Sequence, residues 1–315
     1  MNFAVHPALA HATRYELRHL AAKIEDENPV GHLRGNLPGT IMPSTGKPLL
    51  PPVIVKGLKK LLSTHFMLIA QISDTHISPS AKEGPSRRRW LERCISAIND
   101  LDPQPDTVIH TGDLTHKAGD DEFAEGLDII SKLKAPIFLA PGNRDERNKL
   151  RELFPDRDYL DPKSPYVQYA VEHHDVRLIA LDTITAGDKK GEFCNARVAS
   201  LRSALDGDKR PTAIFMHHPP FDLPVPGLEF QYNSRADADR MIGVLNGHGN
   251  VIRVFCGHAH RQFFEMLGDI PVSTLPSIAV DLRFGEYPAE QANAPLFQLH
   301  RYAPENGFTT ETLAA

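Results

Sequence analysis

Asp74 and His76, one residue apart in Ser73-Asp74-Thr75-His76, set a carboxylate beside an imidazole, a pairing suited to holding a transition-metal ion. Four more clusters of the same character follow: His110-Thr111-Gly112-Asp113, Gly142-Asn143-Arg144-Asp145, His217-His218-Pro219-Pro220 and Gly257-His258-Ala259-His260. Taken singly, Asp-x-His or Gly-Asp reads as a solvated turn, and a histidine pair as surface or satisfied core. Taken together, the clusters offer more donors than one ion accepts, about what two ions sharing a carboxylate would use. Imidazole nitrogen with carboxylate oxygen suits Mn, Fe, Zn or Co better than Ca or Mg. Two such ions roughly 3.5 to 4 Å apart can clamp a phosphate and lower the pKa of a water into a useful nucleophile. No cysteine stands within the clusters, which argues against a structural zinc site.

Each cluster follows an apolar run of strand type. The first is Met-Leu-Ile-Ala-Gln-Ile-Ser over 67–73, and others cover 107–110, 136–140, 212–216 and 251–256. Helical patterns over 120–133, 146–154, 195–205 and 236–245 alternate with them, and strand pairs fall at 167–172 and 176–181, with His173 and His174 in the turn between. Runs at 263–266, 272–274 and 296–300 read as antiparallel strands. This is an α/β domain over 67–315 with some antiparallel character. Ligands bind at the carboxyl ends of strands in such sheets, so five loops there can converge on one site.

Residues 1–66 differ from the rest. An amphipathic helix is expected over 13–25, then irregular chain rich in proline and glycine, then an apolar segment over 53–62 carrying Lys56, Lys59 and Lys60, read as linker. This extension carries no catalytic motif, and Met67 is itself a candidate start. Over the 315 residues, 41% apolar and 24% charged residues are those of an ordinary globular chain. A net charge of -5 excludes broad nucleic-acid binding, and no run has the length of a transmembrane segment. The N-terminus lacks a secretory pattern, and Cys94, Cys194 and Cys256 are too few for a disulfide framework, so the expected location is cytoplasmic. A homo-oligomer is compatible with the sequence.

From residue 67 to about 302 the clusters resemble the calcineurin-like metallophosphoesterases, whose pattern is D-x-H, G-D, G-N-H-[DE], H-[HG] and G-H-x-H. The opening MLIAQISDTH with the MHHPP and CGHAHR blocks looks most like their bacterial cyclic-nucleotide and glycerophosphodiester phosphodiesterase branch. The resemblance implies a four-layer αββα sandwich of two mixed sheets with a dinuclear site at the strand ends. It implies one ion held by Asp74, His76, Asp113 and His260. A second would be held by Asp113, Asn143, His217 and His258, with Asp113 bridging and His218 beside the site. The implied activity is hydrolysis of a small phosphodiester by a metal-bridging hydroxide, with Asp113, Asn143, Arg144 and His218 as the catalytic set.

Arg144 departs from the pattern, which has histidine there. A guanidinium stays protonated and cannot deliver a proton to a leaving oxygen, but its fork matches phosphate oxygens. Arg144 is therefore expected to clamp the substrate phosphate, which favours leaving groups that need no acid. Arginine at this position also resembles the UDP-2,3-diacylglucosamine hydrolases, so a pyrophosphatase acting on a nucleotide-sugar is the alternative. A weakly active scaffold binding a partner through 1–66 is a third reading. Phe221 and Tyr232, in the proline-rich segment after His217, are expected to offer a stacking surface to substrate. Arg87, Arg88 and Arg89 read as a solvated helix start, and His110 and His116 as neighbours of Asp113.

Overall fold

Strands β1 (Met67–Ile72), β2 (Thr107–His110) and β3 (Ile137–Leu139) run parallel in the computed structural model, which describes residues 66–152, 160–161 and 163–315. The helix, linker and apolar segment expected within 1–66 lie outside the described residues. Strand β10 (Leu296–Ala303) pairs antiparallel with β1, and β11 (Gly307–Ala314) antiparallel with β10, giving a sheet of order β11-β10-β1-β2-β3. A second sheet contains β4 (Tyr169–Val171), β5 (Arg177–Ala180), β6 (Thr212–Met216), β7 (Val251–Cys256), β8 (Phe264–Leu267) and β9 (Ile270–Ser273). Its order is β4-β5-β6-β7-β9-β8, with parallel strands inside and antiparallel ones at both edges.

Period-2 alternation assigns the layers. Ile69, Ile109, Phe138, Phe215 and Phe255 project between the two sheets. Their neighbours Ala70, Ile72 and Val108 pack outward against Leu91, Cys94 and Ile95 of α1 (Gly84–Asn99) and Phe123 and Ile129 of α2 (Asp120–Ile130). On the far side, Ile214, Met216 and Val254 pack on Leu201 and Leu205 of α4 (Asn195–Gly207) and Met241 and Leu245 of α5 (Arg235–Asn246). Short α3 (Arg147–Glu152) follows β3, and α6 (Ala289–Ala292) precedes β10. The result is helix, sheet, sheet, helix: β1, β2 and β6 are buried along their whole length and are mostly apolar, as strands covered on both faces must be.

Register carries the function. Ile72 is level with His110, and His110 with Leu139; in the other sheet Met216 is level with Cys256. Within each sheet, therefore, the loops leave at matching heights. Three expectations change. Strand β9 runs parallel to β7, β11 is an additional edge strand, and α2 ends at Ile130 because Ser131, Lys132 and Leu133 close a turn toward Pro136. Among the described residues no helix is long and apolar enough to cross a membrane.

Candidate metal centre

The ligand loops hold their side chains by backbone conformations that ordinary residues avoid. Asp74, His76, Asp113, His258 and His260 have φ of 54°, 46°, 56°, 66° and 52°. Only Ala118 joins them as a non-glycine residue of positive φ among the described residues. Left-handed backbone at non-glycine positions persists where the surroundings enforce it, and it concentrates at functional sites. Here it turns alternate side chains of D-x-H and H-x-H toward one point. Gly142 allows the closest approach: a Cβ there would lie 2.1 Å from the Asp113 nitrogen and 2.2 Å from its Oδ1.

Donor atoms of Asp74, His76, Asp113 and His260 all lie within 4.8 Å of one another. His260 Nε2 is 3.2 Å from Asp74 Oδ1 and 3.2 Å from His76 Nε2. His217 Nε2 is 3.0 Å from Asn143 Oδ1 and 3.1 Å from His258 Nδ1. Asp113 stands between the groups, with Oδ2 3.5 Å from His76 Nε2 and Oδ1 3.5 Å from His217 Nε2. All seven expected donors are brought together.

The outward ring nitrogens explain the tautomers. His217 Nδ1 donates to Thr111 O at 2.8 Å, His260 Nδ1 to Leu282 O at 2.8 Å, and His258 Nε2 to Gln231 Oε1 at 2.8 Å. His217 and His258 thereby keep a lone pair facing inward, the usual arrangement of a metal-binding histidine, whereas His260 turns Nε2 to Asp74, whose charge raises its pKa against burial. His217 Nε2 then faces the Asn143 oxygen acceptor to acceptor at 3.0 Å. Two acceptors at that distance repel unless a cation lies between them. Burial lowers the pKa of His76, His217 and His258, keeping them neutral. Burial also opposes charge on Asp74, yet the imidazoles around it, His260 foremost, outweigh that and lower its pKa. Asp113 is pushed well above the ordinary carboxylate range, first by burial and then by Asp74 and Asp145. Crowded carboxylates with imidazoles are the donor chemistry of divalent transition-metal ions, and the residues fit two of them.

The remaining predicted residues fall into place around this centre. Arg144 donates its backbone N–H to Asp113 Oδ1 at 2.7 Å, and its half-buried guanidinium has no ion pair among the described residues. His218 sits beside His217 and His258, but its nitrogens are engaged by Thr183 Oγ1 at 2.8 Å and Lys189 O at 3.0 Å. Phe221 and Tyr232 are core residues packed on the α4–α5 side, with Tyr232 fully buried and its hydroxyl donating to His218 O. Neither ring is open to a substrate. Arg87 is buried as well, whereas Arg88 bridges from α1 to Glu125 and Asp128 of α2. His116 Nδ1 lies 3.4 Å from His76 Nδ1, and His110 lies under the site against Thr75. Sequence reasoning assigned no role to Gln231 or to Asp145; the latter accepts N–H bonds from Gly142, Leu114 and Thr115 and fixes the Asp113 loop.

A family model described as calcineurin-like phosphoesterase matches residues 67–262. A probable glycerophosphodiester phosphodiesterase of Arcobacter nitrofigilis is 30% identical over 255 residues, 78% of this chain and 92% of that protein. A probable cyclic nucleotide phosphodiesterase of Rhodopseudomonas palustris is 30% identical over 227 residues, 69% of this chain and 80% of that one. Among solved structures, a dimetal phosphatase from Danio rerio shares the fold with a TM-score of 0.56 at 14% identity, covering 79% of this chain and 98% of that one.

Proposed function

The chain belongs to the calcineurin-like phosphoesterase family, and from that premise we propose that it is a metal-dependent phosphodiesterase acting on small diesters of the glycerophosphodiester or cyclic nucleotide kind. The observation that carries this reading is the placement of Asp113, whose two oxygens each face a different group of donors at 3.5 Å. On this reading Asp74, His76, Asp113 and His260 hold one divalent ion, and Asp113, Asn143, His217 and His258 a second. Bound there, two ions supply positive charge for the phosphate and a water acidic enough to attack it. The donor set favours Mn, Fe, Zn or Co.

The chain's own contribution is positioning. Thr111, Leu282 and Gln231 fix the ring orientations, so no rotation is needed when phosphate arrives. Arg144, anchored by its backbone on Asp113 and without an ion pair among the described residues, binds a phosphate oxygen and adds charge stabilisation. It delivers no proton, so the leaving oxygen takes one from water. The same property supports a second reading, a pyrophosphatase acting on a nucleotide-sugar, since a phosphate leaving group needs no acid. The three cysteines are free thiols, which supports a reducing compartment such as the cytoplasm.

The test is a substrate panel on the full chain, stripped with a chelator and reconstituted with Mn²⁺. A glycerophosphodiester, cyclic AMP, bis(p-nitrophenyl) phosphate and a UDP-sugar are compared, with metal analysis of the protein. Restored diester hydrolysis with two ions per chain is expected. Hydrolysis of the UDP-sugar alone would select the second reading, and no turnover of any of the four would end both.

A further inference from the structure

The aromatic surface expected at Phe221 and Tyr232 is closed, but another aromatic borders the centre. Phe284 is 41% exposed, one of three large apolar side chains so open among the described residues. Its ring centre lies 5.8 Å from that of His260, with the planes 32° apart. The other two, Phe264 and Met266, lie on the edge strand β8, whereas Phe284 touches a residue of the candidate metal centre.

Its backbone is stitched to the site from both sides. Leu282, two residues before it, accepts the His260 Nδ1 bond. Arg283 donates to the carbonyls of Ser277, Gln291 and Ala294 at 2.8, 3.1 and 2.6 Å, and Ser277 Oγ donates to Asp74 O at 2.7 Å. Gly285 follows with φ 84°, and a Cβ there would lie 2.5 Å from Arg261 Nη1, so the Arg261 guanidinium packs against its open face. An aromatic ring on a tethered stretch of backbone and a cation thus adjoin beside His260.

We propose that Phe284 is a specificity residue whose exposed face stacks on a flat aromatic group of the substrate, so that the site selects nucleobase- or aryl-bearing phosphodiesters over glycerol-type ones. The inference rests on the phosphodiesterase reading above and narrows its substrate class. Removing an aromatic side chain on which a base stacks weakens binding, and an effect of about tenfold is expected. A Phe284 that merely shields His260 would instead affect every substrate alike.

The experiment uses the full chain, Phe284→Ala and Phe284→Trp. Equilibrium dialysis compares AMP with glycerol 3-phosphate, which share a phosphate and differ in the base. Wild type should bind AMP about tenfold more tightly; Phe284→Ala should erase the preference and Phe284→Trp should retain it. In turnover, kcat/KM for cyclic AMP should fall about tenfold in Phe284→Ala relative to a glycerophosphodiester, at unchanged metal content. Equal binding of both ligands by wild type, or equal losses on both substrates in Phe284→Ala, would overturn the proposal. If wild type hydrolyses neither diester, the phosphodiesterase reading falls, while dialysis still decides the role of Phe284.

Discussion

Arg87 of α1 grips Asp281 through Nε at 3.2 Å to both carboxylate oxygens and Nη2 at 2.7 Å to Oδ2, while its Nη1 reaches His76 O at 3.2 Å. Asp281 lies in the 3₁₀ turn Val280–Leu282, whose Leu282 carbonyl orients His260. One buried guanidinium therefore locks the loops of two candidate ligands together. Partners that orient metal ligands are worth about 10- to 100-fold in metal affinity or activity. Arg87→Ala should lose that much in a competition titration with a metal-binding dye. Arg87→Lys should recover only part, because an ammonium cannot fork onto a carboxylate. Unchanged metal affinity in Arg87→Ala would remove the positioning role.

Asp113→Ala tests the shared carboxylate. Removing it strips both donor groups of one oxygen and leaves Asp74 as the only carboxylate among the six expected donors that remain. We expect metal content to fall below two ions per chain and kcat to drop by about 10³-fold, the scale of losing a group that stabilises transition-state charge. Retained activity with two ions bound would show that the centre is built otherwise.

Arg144 sets the leaving-group dependence. With no proton to give, it should leave aryl and phosphate leaving groups fast and alkoxides slow. Arg144→His should therefore raise the rate on a glycerophosphodiester relative to bis(p-nitrophenyl) phosphate. Arg144→Ala should raise KM for every substrate, by about tenfold if a charge-assisted hydrogen bond is lost. Identical relative rates across wild type and Arg144→His would refute the link between this side chain and the bond that is cut.

The candidate centre was legible because its signal is local: each cluster closely follows a mostly apolar strand, and parallel register does the assembling. Its supports were not, because they depend on which way a side chain faces in the folded chain. Arg87 stands in a run of three arginines and reads as solvated. Yet it shares the helical face of Leu91, Cys94, Ile95 and Ile98, a periodicity that was there to be read. Phe221 and Tyr232 sit in a proline-rich segment with no period to mark an inward side, and only tertiary packing buries them. Gln231 meets His258 across 27 residues, which no local pattern encodes. Strand β11 is rich in threonine and half exposed at a sheet edge, so it lacks the apolar run that announced β1.

His110 provides a pH test of the scaffold beneath the site. Its Nδ1 accepts the Gly112 N–H at 3.2 Å, so the proton sits on Nε2, 3.3 Å from Thr75 Oγ1. Burial pushes its pKa down to about 4 from the ordinary 6.5, with Asp74 opposing and His217 assisting. Between those values the unfolded chain takes up a proton that the folded chain refuses. Stability from this group is thus complete above pH 6.5 and is lost as pH falls toward 4. From pH 7.5 to 5 the loss is about 2 kcal/mol, since each unit below 6.5 counts about 1.4 kcal/mol. His76, His217, His218, His258 and His300 are also depressed by burial and add to this loss, while Asp113 and His260, whose pKa values are raised, work against it, so the variant is compared with wild type. Denaturant unfolding of chelator-treated protein at the two pH values measures the total. In His110→Gln the drop should be smaller by about 2 kcal/mol, because glutamine has no proton to take up. An identical pH dependence in wild type and variant would mean that His110 titrates normally, and that burial beneath the metal loops does not hold it neutral.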